Sequence, residues 1–400
     1  MTADRAILHC DCNNFYASVE LLKYPELRDK PVAVAGDPEG RHGIILAKNM
    51  AAKRLGIQTA ETIWQARRKC PDLILLPPHH EEYEAMSQRI NSIYQEYTDQ
   101  VEPFSVDESW LDVTGSQRLF GSGAEIADTL RRRIREELGV TISVGVADNR
   151  WWAKLGSDYK KPDATTVITR ENVTQLLHPL PVRDMLFVGG AAAEVLIRHG
   201  VTTIGHLAEV SPVLLEKWLG KQGVSLHRMV HGVDDTPVRR WGEAEAVKSV
   251  GNSMTYAADL VGPDAWRAGL MPLCDSVGAR LRAQGLKCRT VTVQVKDTNL
   301  HVISRQRTLP LATNLTKVLF QEALAILTAA WPKDKPIRLL SVTASALAPA
   351  DEAETAQLSF LECAAPDDPR QAKFEQAVDA VRRRFGKAIL QPGTVVRHDE

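Results

Sequence analysis

Two adjacent acids, Asp107 and Glu108, lie in "EPFSVDESWLDVTG" between the apolar Val106 and the Trp110, Leu111 pair. An extended strand sends neighbouring side chains to opposite faces, so for both acids to serve one site the backbone must bend there, as in a tight turn. Unpaired buried carboxylates are costly, and a cation or a basic partner is therefore expected beside them. A third acid, Asp11, stands in "AILHCDCNNFYASVELL", where a strand-like run from Ala6 to Cys12 passes into a helical pattern from Tyr16 to Leu22. Asp11 thus falls at a strand end, facing a cleft. Two strands of one sheet would bring it to Asp107 and Glu108 and put three carboxylates at one edge. The bland reading of the same residues is an acidic turn paired with arginine.

The elements that must hold these acids follow from the pattern. "KPVAVAGD" is a second short strand, "HGIILAKNMAAKRLGI" a strand running into a helix, and "TIWQARRKCPDLILLPP" a helix followed by a strand. The amphipathic helix "YEAMSQRINSIYQEYTDQ" leads into the acidic hairpin, after which come "EIADTLRRRIREELG" as helix and "VTISVGVAD" as an apolar strand. This order predicts a mixed sheet with helices packed on one face.

From about 168 to 235 the chain becomes short helices joined by glycine. "MLFVGGAAAEVLIRHGVTTIGHLAEV" has the layout of a helix-hairpin-helix with Gly189 and Gly190 in the hairpin. Such a hairpin offers backbone N–H groups to a phosphate, although Gly-linked short helices also occur without that role. "DDTPVRRWGEAEA" reads as a linker. A strand ("VKSVGNSMTY"), a helix from Asp264 to Gln284, the hairpin "CRTVTVQVKD" and "HVISRQRTL", a helix from Asn314 to Trp331 and the strand "IRLLSVTASAL" then build a small α+β domain. Arg289 and Lys296 fall on opposite strand faces, whereas Arg305 and Arg307 share one. Exposed basic strands of this kind, with Lys248 at their start, suit phosphate contacts along a duplex.

Composition bounds the answer. The 400 residues exceed what one core usually organises and predict two to four domains. An apolar fraction of 44% and a charged fraction of 25% are ordinary for a water-soluble chain. No apolar run approaches the roughly 18 residues of a membrane span, and "MTADRAILHCD" lacks a basic region followed by an apolar signal segment, which points to the cytoplasm. The scattered Cys10, Cys12, Cys70, Cys274, Cys288 and Cys363 show neither a CxxC pair nor zinc spacing and read as free thiols in a reducing compartment. A net charge of −1 argues against a wholly basic nucleic-acid binder. Its distribution differs: between Thr236 and Ala346 there are 15 Lys or Arg against 8 Asp or Glu, and from Asp351 to Glu400 there are 7 against 10. A basic module followed by an acidic tail implies that part of the molecule faces a polyanion.

Taken in order, "DCNNFYASVE", "SVDESWLDVTG" and "ISVGVADNRWWAKLGSDYKKPDATTVI", together with the helix-hairpin-helix and the basic module, resemble the Y-family lesion-bypass DNA polymerases of the DinB type, from Ile7 to about Ala346. The resemblance implies an α+β multidomain right hand: palm at 1–18 and 79–167, small fingers at 19–78, a helical thumb at 168–235, a linker at 236–242, an α+β little finger at 243–348 and a tail at 349–400. It implies that Asp11, Asp107 and Glu108 are catalytic and hold two Mg²⁺, or Mn²⁺ in their place, with the Cys12 backbone carbonyl as a further ligand. Phosphoryl transfer needs the primer 3′-hydroxyl activated and the pyrophosphate charge neutralised, and two ions held by carboxylates do both. Oxygen ligands favour Mg²⁺ or Mn²⁺ over zinc. By the same resemblance Tyr16 is the steric gate against a ribose 2′-hydroxyl, and Phe15, Asn14, Lys53 and Lys161 meet the incoming nucleotide. DNA contacts fall to Gly189, Gly190, Lys248, Arg289, Lys296, Arg305 and Arg307. Without the family, Tyr16 reads as core packing and Lys161, beside a Pro-Asp turn, as solvent-exposed.

The chain also departs from the pattern. Where many relatives carry T-x-N-Y-x-A-R on the fingers it has "AKNMAAK", so Ala47, Met50 and Lys53 stand for Thr, Tyr and Arg. Lys53 keeps a point charge without the bidentate fork of Arg. Asn13 and Asn14 replace the usual Asp and aromatic, and "VGGAAAE" lacks the basic residue usual after the hairpin glycine. Trp151 and Trp152 read as packing between palm and thumb, and secondly as a surface touching DNA. In the tail, "QLSFL" (Gln357, Leu358, Phe360, Leu361) resembles the peptide with which bacterial polymerases dock on the sliding clamp, with the usual Leu-Phe order reversed.

The expected protein is a template-directed, error-prone translesion DNA polymerase that adds deoxynucleotides to a primer 3′-end by two-metal phosphoryl transfer. Its expected partners are primer-template DNA, deoxynucleoside triphosphates and a sliding clamp; it works as a monomer and touches no membrane. The competing readings are a palm-type enzyme acting on free nucleotides, such as a cyclase, and a weakly catalytic DNA-binding scaffold. The basic module counts against the first and the three acids against the second.

Overall fold

A computed structural model describes residues 5–37, 43–234, 236–243, 245–351, 369–386, 389–391 and 393. They fall into two compact units, one reaching residue 243 and the other starting at 245. Among the described residues no helix is long and apolar enough to cross a membrane. Cys10, Cys12, Cys70 and Cys274 are free thiols and buried, and Cys288 is buried as well, whereas Cys363 and the QLSFL peptide lie outside the described residues.

The first unit runs β1 (Ile7–Cys12), α1 (Phe15–Glu20), β2 (Val32–Ala35), β3 (Ile45–Lys48), α2 (Met50–Arg54), α3 (Ile63–Lys69), β4 (Ile74–Leu76), α4 (His80–Gln95), β5 (Val101–Pro103), β6 (Glu108–Asp112), α5 (Gln117–Phe120), α6 (Gly123–Leu138), β7 (Ile142–Ala147), α7 (Arg150–Tyr159) and β8 (Thr165–Val167), followed by the short helices α8 (Val173–Leu176), α9 (Gly190–Arg198), α10 (Ile204–Glu209), α11 (Pro212–Leu219) and α12 (Lys221–Val230). Its main sheet has the order β5-β6-β1-β7-β8, antiparallel except for the β7–β8 pair.

All six residues of β1 are buried, which an alternating half-exposed strand would not show. Leu8, Cys10 and Cys12 pack into a core with Tyr83, Ile90 and Tyr94 of α4 and Ile126 and Leu130 of α6. Ile7 instead joins Trp110, Ala147 and the α7 residues Trp152, Ala153 and Leu155. Helices therefore cover both faces of the sheet, which corrects the one-face expectation. The reason is α7, started by an Asn149 side chain that accepts the Trp152 N–H at 2.9 Å. A Cβ at Gly145 of β7 would fall 1.9 Å from the Ala153 carbonyl, so only glycine lets this helix lie directly on the strand.

A smaller sheet, β3-β2-β4, carries α2 and α3 over its own core of Ala33, Ile45, Ile57 and Leu73. Helices α8 to α12 share the α7 core. Trp152 is buried there, its indole N–H donating to the Val230 carbonyl at 3.3 Å, and Trp151 packs at the edge against Phe187. Both tryptophans thus serve as packing.

The segment read as a linker is a strap rather than a free tether. The Arg239 N–H and guanidinium each reach the Glu102 carboxylate at 3.0 Å, the Trp241 N–H bonds the Asp99 carbonyl at 3.0 Å, and Val238 is buried. Arg150 closes the group at 2.7 Å from Glu102. Burial pushes the Glu102 carboxyl up, but the Arg239 N–H and the two guanidiniums outweigh it and hold it below its usual value of 4.5. A depressed carboxyl contributes stability above its unfolded pKa and loses it as pH falls through the folded one. We expect Glu102→Gln to cost about 3 kcal/mol at pH 7, and the gap between variant and natural chain in urea unfolding to close as pH drops below the ordinary carboxylate range. A gap independent of pH would contradict this account.

The second unit runs β9 (Ser249–Leu260), α13 (Gly262–Ala283), β10 (Leu286–Lys296), β11 (Val302–Thr313), α14 (Thr316–Ala330), β12 (Ile337–Pro349) and α15 (Pro369–Phe385). The order of elements is the one expected, with the sheet β11-β10-β12-β9 antiparallel throughout. Val291, Val293, Val295, Leu340 and Val342 meet Trp266, Leu270 and Leu327 of the two helices α13 and α14 in one core. The other sheet face carries Thr292, Gln294 and Lys296, in register with Thr343, Ser341 and Leu339.

Candidate active site

The β1–β6 ladder sets Asp11 directly opposite Glu108. Asp107 precedes β6 in the turn from β5, and its carbonyl accepts the Cys12 N–H at 3.0 Å. Leaving the ladder between residues 107 and 108 is how the chain brings adjacent acids to one sheet end. Cys12 buries its thiol in the core, so only its backbone borders the site.

Helix α7 and the turn after it supply the counter-charge. The Lys154 ammonium lies 3.0 Å from Asp11, 2.9 Å from Glu108 and 3.0 Å from Asp158. Lys161 reaches Asp11 and Asp158, both at 2.7 Å. Burial pushes the Asp11 carboxyl up, yet Lys154 and Lys161 outweigh it and hold it at about 2. Burial together with the neighbouring Asp11 pushes Glu108 up to about 7. Asp107 is also raised, chiefly by burial, against a Ser105 hydroxyl that donates to it at 2.6 Å. Both lysines are held charged despite burial, above all by Asp11.

Sequence reading missed Lys154. Its signal was the spacing of Lys154, Ser157 and Asp158, at i, i+3 and i+4, a polar stripe on one side of α7. His9 was missed as well. It is fully buried, its Nδ1 2.9 Å from the Ser157 hydroxyl and its Nε2 3.8 Å from Glu108, and burial holds its pKa well below the ordinary value. Burial thus disfavours the charged form of the imidazole that lies against the acids.

The three acids at this sheet end offer carboxylate oxygens, the donors that suit a hard divalent cation rather than zinc. Among the described residues no three Asp, Glu, His or Cys side chains converge in a metal-holding arrangement. Lys154 stands between Asp11 and Glu108 instead and supplies positive charge that the buried acids require. Asp107 and Glu108 remain raised in its presence, chiefly by burial, so their negative charge is incompletely balanced, and their oxygens are of the kind a divalent ion takes.

The expected nucleotide contacts divide. Tyr16 stacks on Tyr83 with centroids 4.0 Å apart and planes 14° apart, and both border a cavity of about 430 Å³ with His80, Val106 and Trp241. Tyr83 is locked in turn by a hydroxyl donated to Glu20 at 2.5 Å. Phe15 is 3% exposed and belongs to the core, so its side chain is withdrawn as a nucleotide contact; it lies on the inward side of α1. Asn14 takes a left-handed turn with φ 50° before α1. Asn13 accepts the Asp163 N–H at 2.8 Å and donates to Ser143 at 2.9 Å, two roles that an aspartate could not combine. Lys53 is exposed on α2, close enough to Lys48 to lower the pKa of that lysine after burial has done so.

The expected DNA contacts divide too. Gly189 and Gly190 open α9, and a Cβ at either would meet open space, so packing does not demand glycine there. Lys248 is exposed, 3.8 Å from Glu245. Arg289 is half-buried, and Lys296 lies on the sheet face away from the helices. Arg305 and Arg307 pair in register with the core residues Val293 and Val291, which puts both on the helix side of edge strand β11. Arg307 stays exposed and pairs there with Glu322 of α14 at 2.9 Å.

Residues 10–158 match the impB/mucB/samB family, and residues 247–360 match the C-terminal domain of the same family. The chain is 44% identical over 396 residues to a DNA polymerase IV of Acetivibrio thermocellus, covering 98% of each chain. It is 37% identical to a DNA polymerase IV of Moorella thermoacetica, over 98% of this chain and 96% of that one. It is 34% identical to DNA polymerase IV 1 of Bacillus subtilis, over 99% and 94%. Among solved structures it is similar to a Y-family DNA polymerase chimera, with a TM-score of 0.74 and 25% identity over 85% of this chain and 98% of the chimera.

Proposed function

This chain belongs to the impB/mucB/samB family as a DNA-directed DNA polymerase of the Y-family, and we propose that it extends primer 3′-ends past damaged template bases, at low fidelity, by two-metal phosphoryl transfer. The observation that carries this reading is the buried sheet end where Asp11 faces Glu108, with Asp107 beside them and two lysines balancing the charge. Asp11, Asp107, Glu108 and the Cys12 carbonyl would hold a pair of Mg²⁺, or Mn²⁺ as a substitute, which supplies Lewis acidity at the 3′-hydroxyl and at the leaving pyrophosphate. With ions held there, Asp11 and Glu108 would give up part of their pairing with Lys154, which would keep Asp158 as its partner. Lys161, at the outer edge of the cluster, turns from Asp11 to the incoming triphosphate, and Lys53 adds a point charge from the fingers at 19–78.

Outside the palm, at 1–18 and 79–167, the backbone at Gly189 and Gly190 in the thumb admits a close phosphate, Lys248, Arg289 and Lys296 of the little finger line the duplex, and Arg305 and Arg307 reach its phosphates from the edge strand β11. The peptide from Gln357 to Leu361 docks on the sliding clamp. The enzyme works as a monomer in the bacterial cytoplasm. Primer extension on a labelled primer-template, with and without the acidic pair, tests the reading; its expected result opens the Discussion.

The stacking of Tyr16 on Tyr83 supports its reading as a rigid wall against a ribose 2′-hydroxyl. Tyr16→Ala should raise ribonucleotide insertion relative to deoxynucleotide insertion by about 10²-fold. Tyr83→Leu, which leaves the gate ring but removes its stacking partner, should raise it by about 3–10-fold. The check is the ratio of kcat/KM for the two sugars in single-nucleotide insertion. A Tyr16→Ala enzyme with unchanged selectivity would return Tyr16 to plain packing.

A further inference from the structure

Helix α15 reverses the usual amphipathic arrangement. The side it buries is charged: Glu375, 5% exposed, accepts from Arg282 and from the Thr316 N–H at 2.8 Å, Asp379 accepts from Arg282 at 2.6 Å, and Arg382 reaches Asp275 at 2.8 Å. Its solvent side is aromatic and basic. Phe374 and Phe385 are 63% and 62% exposed, and with Val378 and Val381 they recur at spacings of 4, 3 and 4. Lys373 and Arg384 are exposed along the same side, with the Arg384 guanidinium 5.2 Å from the centre of the Phe385 ring. The only acids of the helix, Glu375 and Asp379, face Arg282. Ordinary packing would bury the phenylalanines; ion pairs on the other side hold them out on a fixed scaffold. Contiguous exposed aromatic surface of this kind marks an interaction site.

We propose that this face of α15 binds single-stranded DNA, with phosphates along Lys373 and Arg384 and bases stacked on Phe374 and Phe385. The proposal rests on the reading of this chain as a DNA polymerase. Charge selects the occupant. A second copy would set cationic side chains against their own kind, whereas a single strand supplies both negative charge and flat apolar surfaces. A duplex offers phosphates but keeps its bases stacked inside. The two phenylalanines are about 16 Å apart along the helix axis at 1.5 Å per residue, a span of a few nucleotides.

The test uses the full chain and the fluorescence anisotropy of a labelled oligo-dT and of a blunt duplex, across a salt series. Phe374→Ala/Phe385→Ala should weaken oligo-dT binding by about tenfold or more, and weaken it more than duplex binding. Lys373→Glu/Arg384→Glu should flatten the slope of log affinity against log salt on oligo-dT by about 1.4. Circular dichroism and a melting curve confirm that each variant is folded. Oligo-dT binding unchanged in both variants, an equal loss on the two DNAs, or a change confined to self-association in sedimentation would each overturn the proposal. If the natural chain neither binds nor extends a primer-template, the polymerase reading itself fails; if it does both while the variants bind oligo-dT as tightly, only the α15 proposal fails.

Discussion

Asp107→Ala/Glu108→Ala is expected to lower primer extension by at least about 10³-fold while primer-template DNA stays bound. Each acid contributes charge at the point where the 3′-hydroxyl and the pyrophosphate change ionisation, and losing a single preorganised electrostatic group at such a point typically costs 10²–10³-fold. Asp11 remains in the double variant, paired with Lys154 and Lys161, so the sheet end keeps a compensated core and the chain should fold. The measurement is extension of a labelled primer with all four deoxynucleotides and Mg²⁺, beside a binding titration on the same DNA. Robust extension by the double variant would remove the carboxylates from the mechanism. Extension by neither protein, on DNA that both bind, would favour the scaffold reading.

Lys154→Met should be the most damaging single change to stability in this region. The ammonium touches three carboxylates and its side chain is only 11% exposed, so its loss leaves Asp11 and Glu108 facing each other in a buried site. Breaking a buried charge group in this way costs about 3–5 kcal/mol. A divalent cation can replace the missing charge, which gives the prediction its sign: the variant should melt below the natural chain in EDTA and recover more than the natural chain does when Mg²⁺ is added. Equal gains from Mg²⁺ in both proteins would mean that Lys154 and the cation do not share the same carboxylates. The experiment thus reads the metal-holding role through stability, independently of turnover.

Much of the site was legible in the chain. The adjacent acids demanded a bend, and the bend lies between residues 107 and 108; the strand-to-helix transition after Cys12 placed Asp11 at a strand end, and it is there. The element order of the C-terminal domain was legible for the same reason, because periodicity and turn chemistry are carried by neighbouring residues. The side on which a residue ends up is another matter. Phe15, set beside the Tyr16 gate by sequence, is core because α1 turns it inward, and Arg307, exposed as strand alternation suggested, also pairs with Glu322 because β11 lies at the sheet edge over α14. The charged linker became a strap only because Glu102, 137 residues away from Arg239, waits on β5.

By itself, then, the sequence determined which residues could do the chemistry and in what local frame, since backbone bends, strand ends and alternating faces follow from neighbours a few positions apart. Tertiary structure alone decided how those residues are charged. Lys154 is 143 residues from Asp11 and 46 from Glu108, and the state of those two acids depends on that ammonium and on a burial that local pattern does not encode. Charge compensation and desolvation are properties of the surroundings in space, and they exist only once α7 lies on the sheet.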